Sequence, residues 1–469
     1  MVSVMWFRSD LRINDNTALW NALSHTEDVV LVFNINLAQI IEQSSMNQQA
    51  FFSSVLAFKN NLKKQGIVLN ILYGTPRVAF SKLKAKLPQW TDVYFNMAES
   101  GFGFARDQEV AKFFTDELGV KSHQYLDYTL HSVNDVTKPD GQPYKMFTPY
   151  YQQWRQLPKP SVNKLFSLPI NQYTSKAYFE DQKRLISLSG NPGEDRLKML
   201  GSNRAQVQLT KFIKNGLEDY DNNRDFPNLN GTSQLSKFIR TGEISIRTIY
   251  HAVAQLPESQ GQQTFIKELC WRDFYQMIYA KYPNQKEQAI IDSYRHIDWR
   301  NNEQDFELWK AGQTGYPIID AAMRQLNTTG WMHNRLRMLV ASFLTKDLLI
   351  DWRWGEKYFQ QCLIDYDPAS NIGGWQWAAS TGTDSAPYFR IFNPTTQAKR
   401  YDPQGAFIKK YLPELTKITN NKIFDPSRLT QIEQKDFGVV LGKDYPMPIV
   451  DHQMARNRAI MAYEISKDR

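Results

Sequence analysis

The apolar run VVLVFNI, residues 29–35, decides the fold of the first part of the chain. It is rich in valine and carries no charge, which is typical of a strand buried on both faces of a parallel sheet. Similar runs are VSVMWF (2–7), IVLNILY (67–73) and DVYFNM (92–97). The amphipathic segment FFSSVLAFKNNLKKQG between two of them ends at Gly66, as a glycine-capped helix does. This alternation predicts a doubly wound α/β domain over residues 1–130.

Such a domain often binds a dinucleotide, and the chain contains one weak candidate for that motif. GFGFAR, which starts at Gly101, has two glycines and then Arg106 where the third glycine is needed. The segment therefore indicates a turn before a helix rather than a dinucleotide site.

The remainder of the chain changes character twice. Prolines 139, 143, 149, 158, 160 and 169 interrupt any regular element, so residues 131–195 are predicted to form a long surface linker. Residues 196–469 are predicted to form a larger all-helical domain, because long stretches have a 3.6-residue apolar period. These stretches are QQTFIKELCWRDFYQMIYAKYP (262–283), WMHNRLRMLVASFLTKDLLIDW (331–352) and GAFIKKYLPEL (405–415).

Composition limits the classes of protein that the chain can belong to. A length of 469 residues with 42% apolar residues predicts two or three globular domains. No apolar run is long enough to span a bilayer, the N-terminus does not resemble a signal peptide, and two cysteines cannot form a disulfide framework. We therefore expect a cytoplasmic protein with no membrane partner. The net charge of +8 favours a polyanionic partner.

Several common chemistries have no motif in this sequence. The seven histidines are scattered and the two cysteines are isolated, so no zinc-ligand spacing is present, and there is neither a P-loop nor a nucleophile elbow. Asp365 and Asp367 have no histidine or further acidic residue nearby, which argues against a metal site. They are better interpreted as acceptors for ligand N–H groups or as partners of a buried arginine.

The segment SNIGGWQWAASTGTD, residues 370–384, is unlike ordinary core. Two tryptophans lie among small residues that allow a backbone or a flat ligand to approach closely. The helix predicted from Trp331 brings Asn334 and Met338 to one face, with Arg337 on the neighbouring face. Its packing stripe consists of Leu336, Leu339, Val340 and Phe343.

Two further segments support a ligand site. Glu268 and Trp271 are three residues apart on a predicted helix, with Arg272 and Tyr275 along their rows. GTSQLS places the hydroxyls of Thr232, Ser233 and Ser236 at a predicted helix start, where phosphates bind well. Together these segments predict a site for a planar ligand that bears phosphates.

Long composite motifs resemble the DNA photolyase/cryptochrome family, and most closely its bacterial class I cyclobutane pyrimidine dimer photolyases. The resemblance runs from MWFRSDLRINDN to YPMPIVDH and is densest in GTSQLSKFI, ELCWRDFY, GYPIIDAAMRQLNTTGWMHNRLRM, KDLLIDWRWGEKYF and NIGGWQWAASTGTDSAPYFRIFNPTTQ. It implies an α/β domain joined by a linker to a helical FAD domain.

The resemblance also implies roles for individual residues. The FAD-binding positions would be Tyr220, Thr232, Ser233, Leu235, Ser236, Trp331, Asn334, Arg337, Asp365, Asp367 and Asn371. Among these, Arg337 and Asp365 resemble the family's ion pair beside the isoalloxazine ring, and Asn371 matches the residue that faces the flavin's reactive nitrogen.

An electron-transfer chain and a lesion pocket are implied in the same way. Trp375 would lie nearest the flavin, followed by Trp352 and then by Trp299 nearest solvent. The substrate- and DNA-binding positions would be Glu268, Trp271, Arg272, Asn334, Arg335, Met338, Trp377 and Arg390. The two tryptophans of NIGGWQW thus have different expected roles.

The activity implied is light-driven repair of cyclobutane pyrimidine dimers, in which photoexcited reduced FAD passes an electron to a flipped-out dimer. The expected enzyme is a deoxyribodipyrimidine photo-lyase that acts on damaged DNA as a monomer without an obligate protein partner, associated through DNA with the bacterial nucleoid. A cryptochrome photoreceptor is the main alternative, although the chain ends at Arg469, soon after the family core. A (6-4) photolyase fits ELCWRDFY and WMHNRLRM less well, and a light-independent DNA-binding protein would not explain the flavin motifs.

The antenna chromophore is where the sequence departs from its folate-using relatives. Those proteins carry an Asn–Glu pair before an RARD-type helix, whereas GFGFARD places Phe102 and Gly103 there. The segment after Tyr282 also lacks their cysteine–lysine pair, for which Lys286 substitutes only in part. We expect methenyltetrahydrofolate to bind weakly, with a deazaflavin or an empty cleft as the alternatives.

Overall fold

The N-terminal sheet has five parallel strands in the order β3-β2-β1-β4-β5. The computed structural model describes residues 2–40, 45–165, 167–179 and 182–468. The strands are β1 (Val2–Phe7), β2 (Val29–Ile35), β3 (Leu69–Tyr73), β4 (Trp90–Asn96) and β5 (Lys121–Tyr125). Helices α1 (Thr17–His25), α2 (Met46–Lys63), α3 (Pro76–Lys86) and α4 (Gly101–Asp116) connect them. The predicted doubly wound sheet is confirmed.

Alternate residues of each central strand enter different cores, because successive side chains of a strand point to opposite faces. Met5 and Phe7 of β1 pack in one cluster with α1 and α2, and Val4 and Trp6 pack in the other with α3 and α4. All four side chains are at most 2% exposed. Burial on both faces explains why these strands read as continuous apolar runs.

Local signals set the ends of the helix predicted from residue 51. Helix α2 begins at Met46, where the Ser45 side chain accepts a hydrogen bond from the N–H of Gln48. At the other end the Gly66 N–H donates to the carbonyl of Lys63, and Gly66 has a φ of +75°. A left-handed residue with this bond closes a helix, so the prediction that Gly66 ends α2 is confirmed.

The sequence prediction is wrong about β5 and about the regularity of the linker. Strand β5 (KSHQY) has no fully buried residue, whereas β3 at the opposite edge of the sheet is buried over most of its length, so only β5 lacks the apolar signal. Helix α5 (Phe147–Gln156) lies within the predicted linker and buries Tyr150 and Trp154 to 1% exposure. Pro149 is compatible with α5 because the first turn of a helix needs no N–H donor there. Residues 1 and 41–44 of the predicted N-terminal domain, residues 166, 180 and 181 of the predicted linker, and residue 469 lie outside the described residues.

The chain divides into two compact units. Unit 1 comprises Met1–Glu218 and Ser233–Pro283, and unit 2 comprises Asp219–Thr232 and Asn284–Arg469. Beyond the sheet, the helices of unit 1 are α5, α6 (Lys183–Leu188), α7 (Glu194–Lys198), α8 (Ser202–Asn215), α10 (Ser236–Thr241), α11 (Ile246–Ala254) and α12 (Gln260–Lys281).

Unit 2 is helical in all its regular elements within the described part of the chain. Its α-helices are α9 (Tyr220–Asn223), α13 (Glu303–Ala311), α14 (Pro317–Thr329), α15 (Asn334–Ser342), α16 (Trp352–Cys362), α17 (Pro368–Ala378), α18 (Pro394–Tyr401), α19 (Ala406–Tyr411), α20 (Gln431–Phe437) and α21 (His452–Lys467). No helix of the described chain has the length and apolar character needed to cross a bilayer. Cys270 and Cys362 are both buried, and they form no disulfide bond with each other.

Candidate functional site

An arginine–aspartate pair forms the charged centre of the site in unit 2. The Arg337 Nη2 donates to both carboxylate oxygens of Asp365, at 3.0 and 2.8 Å, and its Nε donates to the carbonyl of Met332 at 2.9 Å. The Asp365 side chain is 3% exposed, whereas that of Arg337 is 26% exposed. The structure thus brings together the two residues that the sequence pointed to, with one side of the guanidinium still accessible.

A glycine at the end of α14 makes this pairing possible. Gly330 has a φ of +68°, and an added Cβ would lie 2.6 Å from Cγ2 of Ile364. The Gly330 carbonyl accepts a hydrogen bond from the Ile364 N–H at 2.9 Å. The close approach brings the start of α15 beside the loop that carries Asp365.

Helix α15 starts later than the sequence indicated. It begins at Asn334 rather than Trp331, because the His333 side chain accepts from the Arg335 N–H and caps it. Burial lowers the pKa of His333 to about 4, which keeps the ring neutral and able to accept. The predicted packing stripe is confirmed, since Leu336, Leu339, Val340 and Phe343 are all at most 2% exposed.

The turn into α17 uses Asp367 as its cap. The Asp367 side chain accepts from the Ser370 N–H at 2.8 Å, and Pro368 occupies the first helical position. One turn into the helix, the Asn371 Nδ2 donates to the Glu356 Oε1 at 3.1 Å and to the Glu356 backbone carbonyl at 3.3 Å. The Asp367-Pro368 pair is a sequence signal for the start of a helix, whereas no sequence pattern indicates the contact with Glu356.

Two glycines near Trp375 differ in the space around them. Gly355 contacts the Trp375 ring, and Gly374 precedes Trp375 in the sequence. A Cβ on Gly355 of α16 would lie 2.1 Å from Cη2 of Trp375, so the indole packs directly on the backbone of α16. A Cβ on Gly374 of α17 would meet no atom within 4 Å. Gly374 is three residues after Asn371 and therefore on the same side of the helix. Open space thus lies beside Asn371.

The tryptophans of NIGGWQW also differ in environment. Trp375 is 2% exposed and packs against Phe359 and Trp309, with ring centroids 5.0 and 6.2 Å away. Trp377 is half-buried, and no aromatic ring of the described residues packs on it. Trp375 therefore belongs to the core, and Trp377 keeps a face for stacking.

The three tryptophans predicted to relay electrons differ in exposure. Trp375 and Trp352 are both 2% exposed, and Trp299 is half-buried, with its ring 6.2 Å from that of Tyr463. This order of exposure fits the expected order from the flavin to solvent. Trp309, which sequence reasoning missed, is fully buried against Trp375 and is a second neighbour for it.

The residues predicted to hold phosphates are divided between the units. In unit 2, Tyr220 is buried, and Gly231, next to Thr232, leaves only 2.6 Å between an added Cβ and the Asn223 carbonyl oxygen. In unit 1, Ser233 and Leu235 precede α10, which starts at Ser236 without a side-chain cap. Hydroxyls around uncapped N–H groups are the donors that a phosphate takes.

Three predicted substrate residues lie on α12 in unit 1. Trp271 stacks face to face on Phe147, with centroids 3.7 Å apart and planes 6° apart. One face of Trp271 is thus occupied by α5. Arg272 lies over the Tyr128 ring at 3.9 Å and donates to the Tyr128 carbonyl at 2.6 Å, and Glu268 is half-buried.

The other predicted substrate residues belong to unit 2. Asn334 and Arg390 are exposed, and Met338 is half-buried. Arg335 pairs with Asp225 at 2.6 Å and stacks over Tyr401 at 4.4 Å. This arginine therefore already has a carboxylate partner within its own unit.

The predicted antenna residues have environments of their own. Phe102 is 57% exposed at the start of α4. A Cβ on Gly103 would lie 2.7 Å from the Cβ of Ala98, so the backbone there leaves no room for a side chain. Gly103 therefore cannot be replaced by an acceptor without movement of Ala98.

The residues present fit FAD. Within unit 2, the Arg337–Asp365 pair suits the polar edge of its ring, and the open volume at Gly374 suits a flat ring. No cluster of three metal-ligating side chains occurs among the described residues.

Comparison with known proteins agrees with this geometry. Residues 3–165 match the family model "DNA photolyase", and residues 265–465 match "FAD binding domain of DNA photolyase". A chain with this fold and this site belongs to the class of light-dependent flavoproteins. The chain belongs to the DNA photolyase family, and its cofactor is FAD.

Individual relatives cover the whole length. The deoxyribodipyrimidine photo-lyase of Alkalihalophilus pseudofirmus is 42% identical over 99% of this chain and 98% of its own. A bacterial class III photolyase from Agrobacterium tumefaciens superposes with a TM-score of 0.92 at 34% identity, covering 100% of this chain and 98% of its own. The archaeal photolyase from Sulfolobus tokodaii, a structure with two FAD molecules, gives a TM-score of 0.84 at 32% identity, covering 99% and 100%. The predicted assignment to class I stays a prediction.

Proposed function

We propose that this protein is a light-driven deoxyribodipyrimidine photo-lyase that splits cyclobutane pyrimidine dimers in DNA. The observation that carries the proposal is the Arg337–Asp365 pair beside the open face of α17, inside the segment that matches the FAD-binding domain. Full-length relatives named deoxyribodipyrimidine photo-lyase support the substrate class.

In this proposal the cofactor supplies the electron, and the protein holds the cofactor and the dimer in place. Bound, reduced FAD would supply the electron on excitation by light, and the electron would return after the dimer opens, with no net redox change. Arg337 and Asp365 would hold the polar edge of the flavin, and Asn371 would face its reactive nitrogen. The other cofactor-binding residues are Tyr220, Thr232, Ser233, Leu235, Ser236, Trp331, Asn334 and Asp367.

The substrate enters as a flipped-out dimer, which stacks and pairs poorly in the duplex and is therefore cheap to extrude. Trp271 and Trp377 offer ring faces for it, and Glu268 accepts hydrogen bonds from the pyrimidine edge. Arg272, Arg335 and Arg390 contact the DNA, together with Asn334 and Met338. Arg272 and Arg335 also donate hydrogen bonds to partners within the protein, to the Tyr128 carbonyl and to Asp225.

Trp375, Trp352 and Trp299 would relay electrons inward to an oxidised flavin during photoreduction. Their exposure supports this order, because only Trp299 is accessible to an external reductant.

We further propose that the protein acts as a monomer in the cytoplasm, without an obligate protein partner. Two buried cysteines that form no disulfide with each other fit a reducing compartment, and the net charge of +8 fits a DNA ligand. Light scattering on the purified protein checks the oligomeric state.

The decisive experiment incubates DNA that carries thymine dimers with the reduced protein, in blue light and in darkness. We expect thymine recovery in light only. A parallel arm uses DNA with (6-4) photoproducts, which should stay unrepaired. A protein that retains FAD but repairs neither lesion in light would instead fit a photoreceptor.

A further inference from the structure

Unit 1 contains a cavity of about 530 Å³ that the flavin and lesion sites do not use. Its wall is formed mainly by the loop that follows β5 and by the linker that follows α5. The titratable side chains along this wall are those of His131, Asp135, Lys159 and Arg247. None of the four has a role in the proposed repair reaction.

Lys159 closes the end of helix α5 from this wall. Its Nζ donates to the carbonyl of Trp154 at 2.5 Å and to the carbonyl of Leu157 at 2.7 Å, and it lies 4.0 Å from the centroid of the Trp154 ring. The last carbonyls of a helix have no partner within the helix, so the lysine supplies donors that α5 lacks. Two of the three N–H positions of the amine are thereby used.

The amine of Lys159 loses its proton more readily than an ordinary lysine does. Burial lowers its pKa to about 8. Asp273 of α12 opposes this shift only in part, and the neighbouring thiol of Cys270 stays neutral because burial raises its pKa. At pH 7.5 a group of pKa 8 is neutral about a quarter of the time, against about one part in a thousand for an ordinary lysine. The same amine therefore caps α5 when protonated and is a nucleophile when neutral.

A second nitrogen with unused capacity lies near Lys159. His131 is 8% exposed, and its Nε2 has no hydrogen-bond partner among the described residues. Burial, aided by the charge of Lys159, lowers the pKa of His131 to about 4, so the ring is neutral at physiological pH. Buried polar atoms normally have partners, so this nitrogen indicates room for a further polar group beside the lysine.

We infer that Lys159 is a modification site, whose neutral amine takes an acyl group from a small acyl phosphate within this cavity, and that the modification loosens α5. The nitrogen forms a bond to the acyl carbon, the bond from that carbon to the phosphate oxygen breaks, and the displaced proton leaves with the phosphate. The product is an uncharged amide, which costs less to bury than an ammonium group. It keeps one N–H, so it can serve only one of the two carbonyls that Lys159 serves now.

The loosening reaches the proposed lesion site through α5. Phe147 of α5 stacks on Trp271, with ring centroids 3.7 Å apart. A helix with an unserved carbonyl at its end holds Phe147 less firmly, and Trp271 is then less well ordered for stacking on a base. This consequence rests on the proposed function, whereas the modification itself does not.

The first test follows acylation of the full-length, FAD-loaded protein by acetyl phosphate, with peptide mass spectrometry to obtain a rate for each lysine. The reference is Lys164, an exposed lysine in the same linker. At pH 7.5 we expect Lys159 to react about tenfold faster, because its larger neutral fraction is offset only in part by the weaker nucleophilicity of a weaker base. Its rate should level off above about pH 8 while that of Lys164 keeps rising. Equal rates, or a Lys159 rate that keeps rising, would overturn the inference.

The second test compares Lys159→Gln, which resembles the acylated side chain, with Lys159→Arg, which keeps the charge and the donors. The measured quantity is the ratio of affinities for damaged and intact duplexes, because loss of a charge alone weakens both. We expect this ratio to fall about threefold in Lys159→Gln and in the acylated wild type, and to stay unchanged in Lys159→Arg and in Lys164→Gln.

The acylated wild type decides the outcome if Lys159→Gln does not fold. An unchanged ratio in the acylated protein overturns the link to α5. A wild-type protein that does not distinguish damaged from intact DNA contradicts the proposed function instead, and the acylation rates then judge Lys159 by themselves.

Discussion

Single glycines show how closely the site is built. Gly355 and Gly374 lie in neighbouring helices, and one touches Trp375 while the other faces open space. Replacing each with alanine adds the same methyl group to two different environments, so the pair forms a matched experiment.

For Gly355→Ala we expect a loss of about 1–3 kcal/mol in the free energy of unfolding, because the methyl group overlaps the Trp375 ring. For Gly374→Ala without FAD we expect a gain of about 0.5–1 kcal/mol, since alanine stabilises a helix interior relative to glycine. Urea unfolding of the apoproteins measures both. FAD titration then shows whether Gly374→Ala weakens binding, as it must if the ring occupies that space.

Gly103 determines whether the protein can bind folate as its antenna chromophore. Folate should be weakly bound or lost, because no side chain there accepts its paired N–H groups, and unmet groups cost roughly 1–3 kcal/mol each. The absorption spectrum of freshly purified protein, with mass analysis of the extracted chromophores, is the measurement. Near-stoichiometric folate beside FAD would contradict this expectation, and Gly103→Glu alone should not create binding, because Ala98 blocks the position.

At the scale of the element, helix α12 carries Trp271, which we expect to stack on a base of damaged DNA. Trp271 already stacks on Phe147 of α5, so its remaining face is preorganised for a base. Trp271→Ala should keep FAD but weaken binding to damaged DNA by roughly 1–3 kcal/mol. Fluorescence anisotropy with damaged and intact duplexes measures it, and Trp20→Ala, at an exposed position on α1, is the control. Unchanged discrimination between the duplexes would remove Trp271 from the pocket.

Helices α16 and α17 carry the inner part of the tryptophan chain. Trp299→Phe should block photoreduction of oxidised FAD and leave repair by pre-reduced enzyme nearly intact. Trp309→Phe is the matched comparison, because Trp309 also contacts Trp375 but lies outside the proposed chain. Transient absorption follows both. If only the Trp309 variant loses photoreduction, the electron path leaves Trp375 by a different route.

The sequence predicts helices and strands well where burial gives a recognisable pattern of apolar residues. Strands β1 to β4 are largely buried and their apolar runs are recognisable, whereas β5 is polar, has no fully buried residue and is not recognisable. In the site, Arg337 and Asp365 were identified through family motifs, and the structure pairs them. Glu356 and Trp309 were missed because their contacts depend on how helices pack, which no local pattern records.

At the scale of the whole molecule, buried charges join segments far apart in the chain. In unit 1, Arg247 of α11 bonds with Asp15 and Asp127, and Asp127 also pairs with Arg12. In the same unit Asp273 of α12 accepts from the Trp154 indole at 2.9 Å and from the Leu130 N–H at 3.2 Å. Such contacts explain why unit 1 includes helices that follow the predicted linker. The domain limits 1–130, 131–195 and 196–469 stay predictions.

Asp273 predicts a pH dependence of stability. Burial raises its pKa from an ordinary value near 3.8 to about 6, so the folded protein holds this proton more tightly than the unfolded chain does. The associated stability is present below about pH 4 and is lost as the pH rises through 6. Asp273→Asn should remove this loss, which is about 3 kcal/mol over the whole pH range. Urea unfolding at pH 5 and pH 7.5 compares the two proteins, and parallel pH profiles would contradict the assignment.

The path of the chain through the two units has a practical consequence. The chain passes from one unit to the other after Glu218, after Thr232 and after Pro283. A single cut therefore yields no fragment that contains one complete unit and nothing else. A fragment that begins at residue 196 would carry α8, α10, α11 and α12 away from the sheet with which they are grouped, and would expose apolar side chains that are now buried. A chimaera that takes one unit from this protein and the other from a relative would therefore need at least three fusion points. Residues 219–232 would have to come from the same parent as the C-terminal helices.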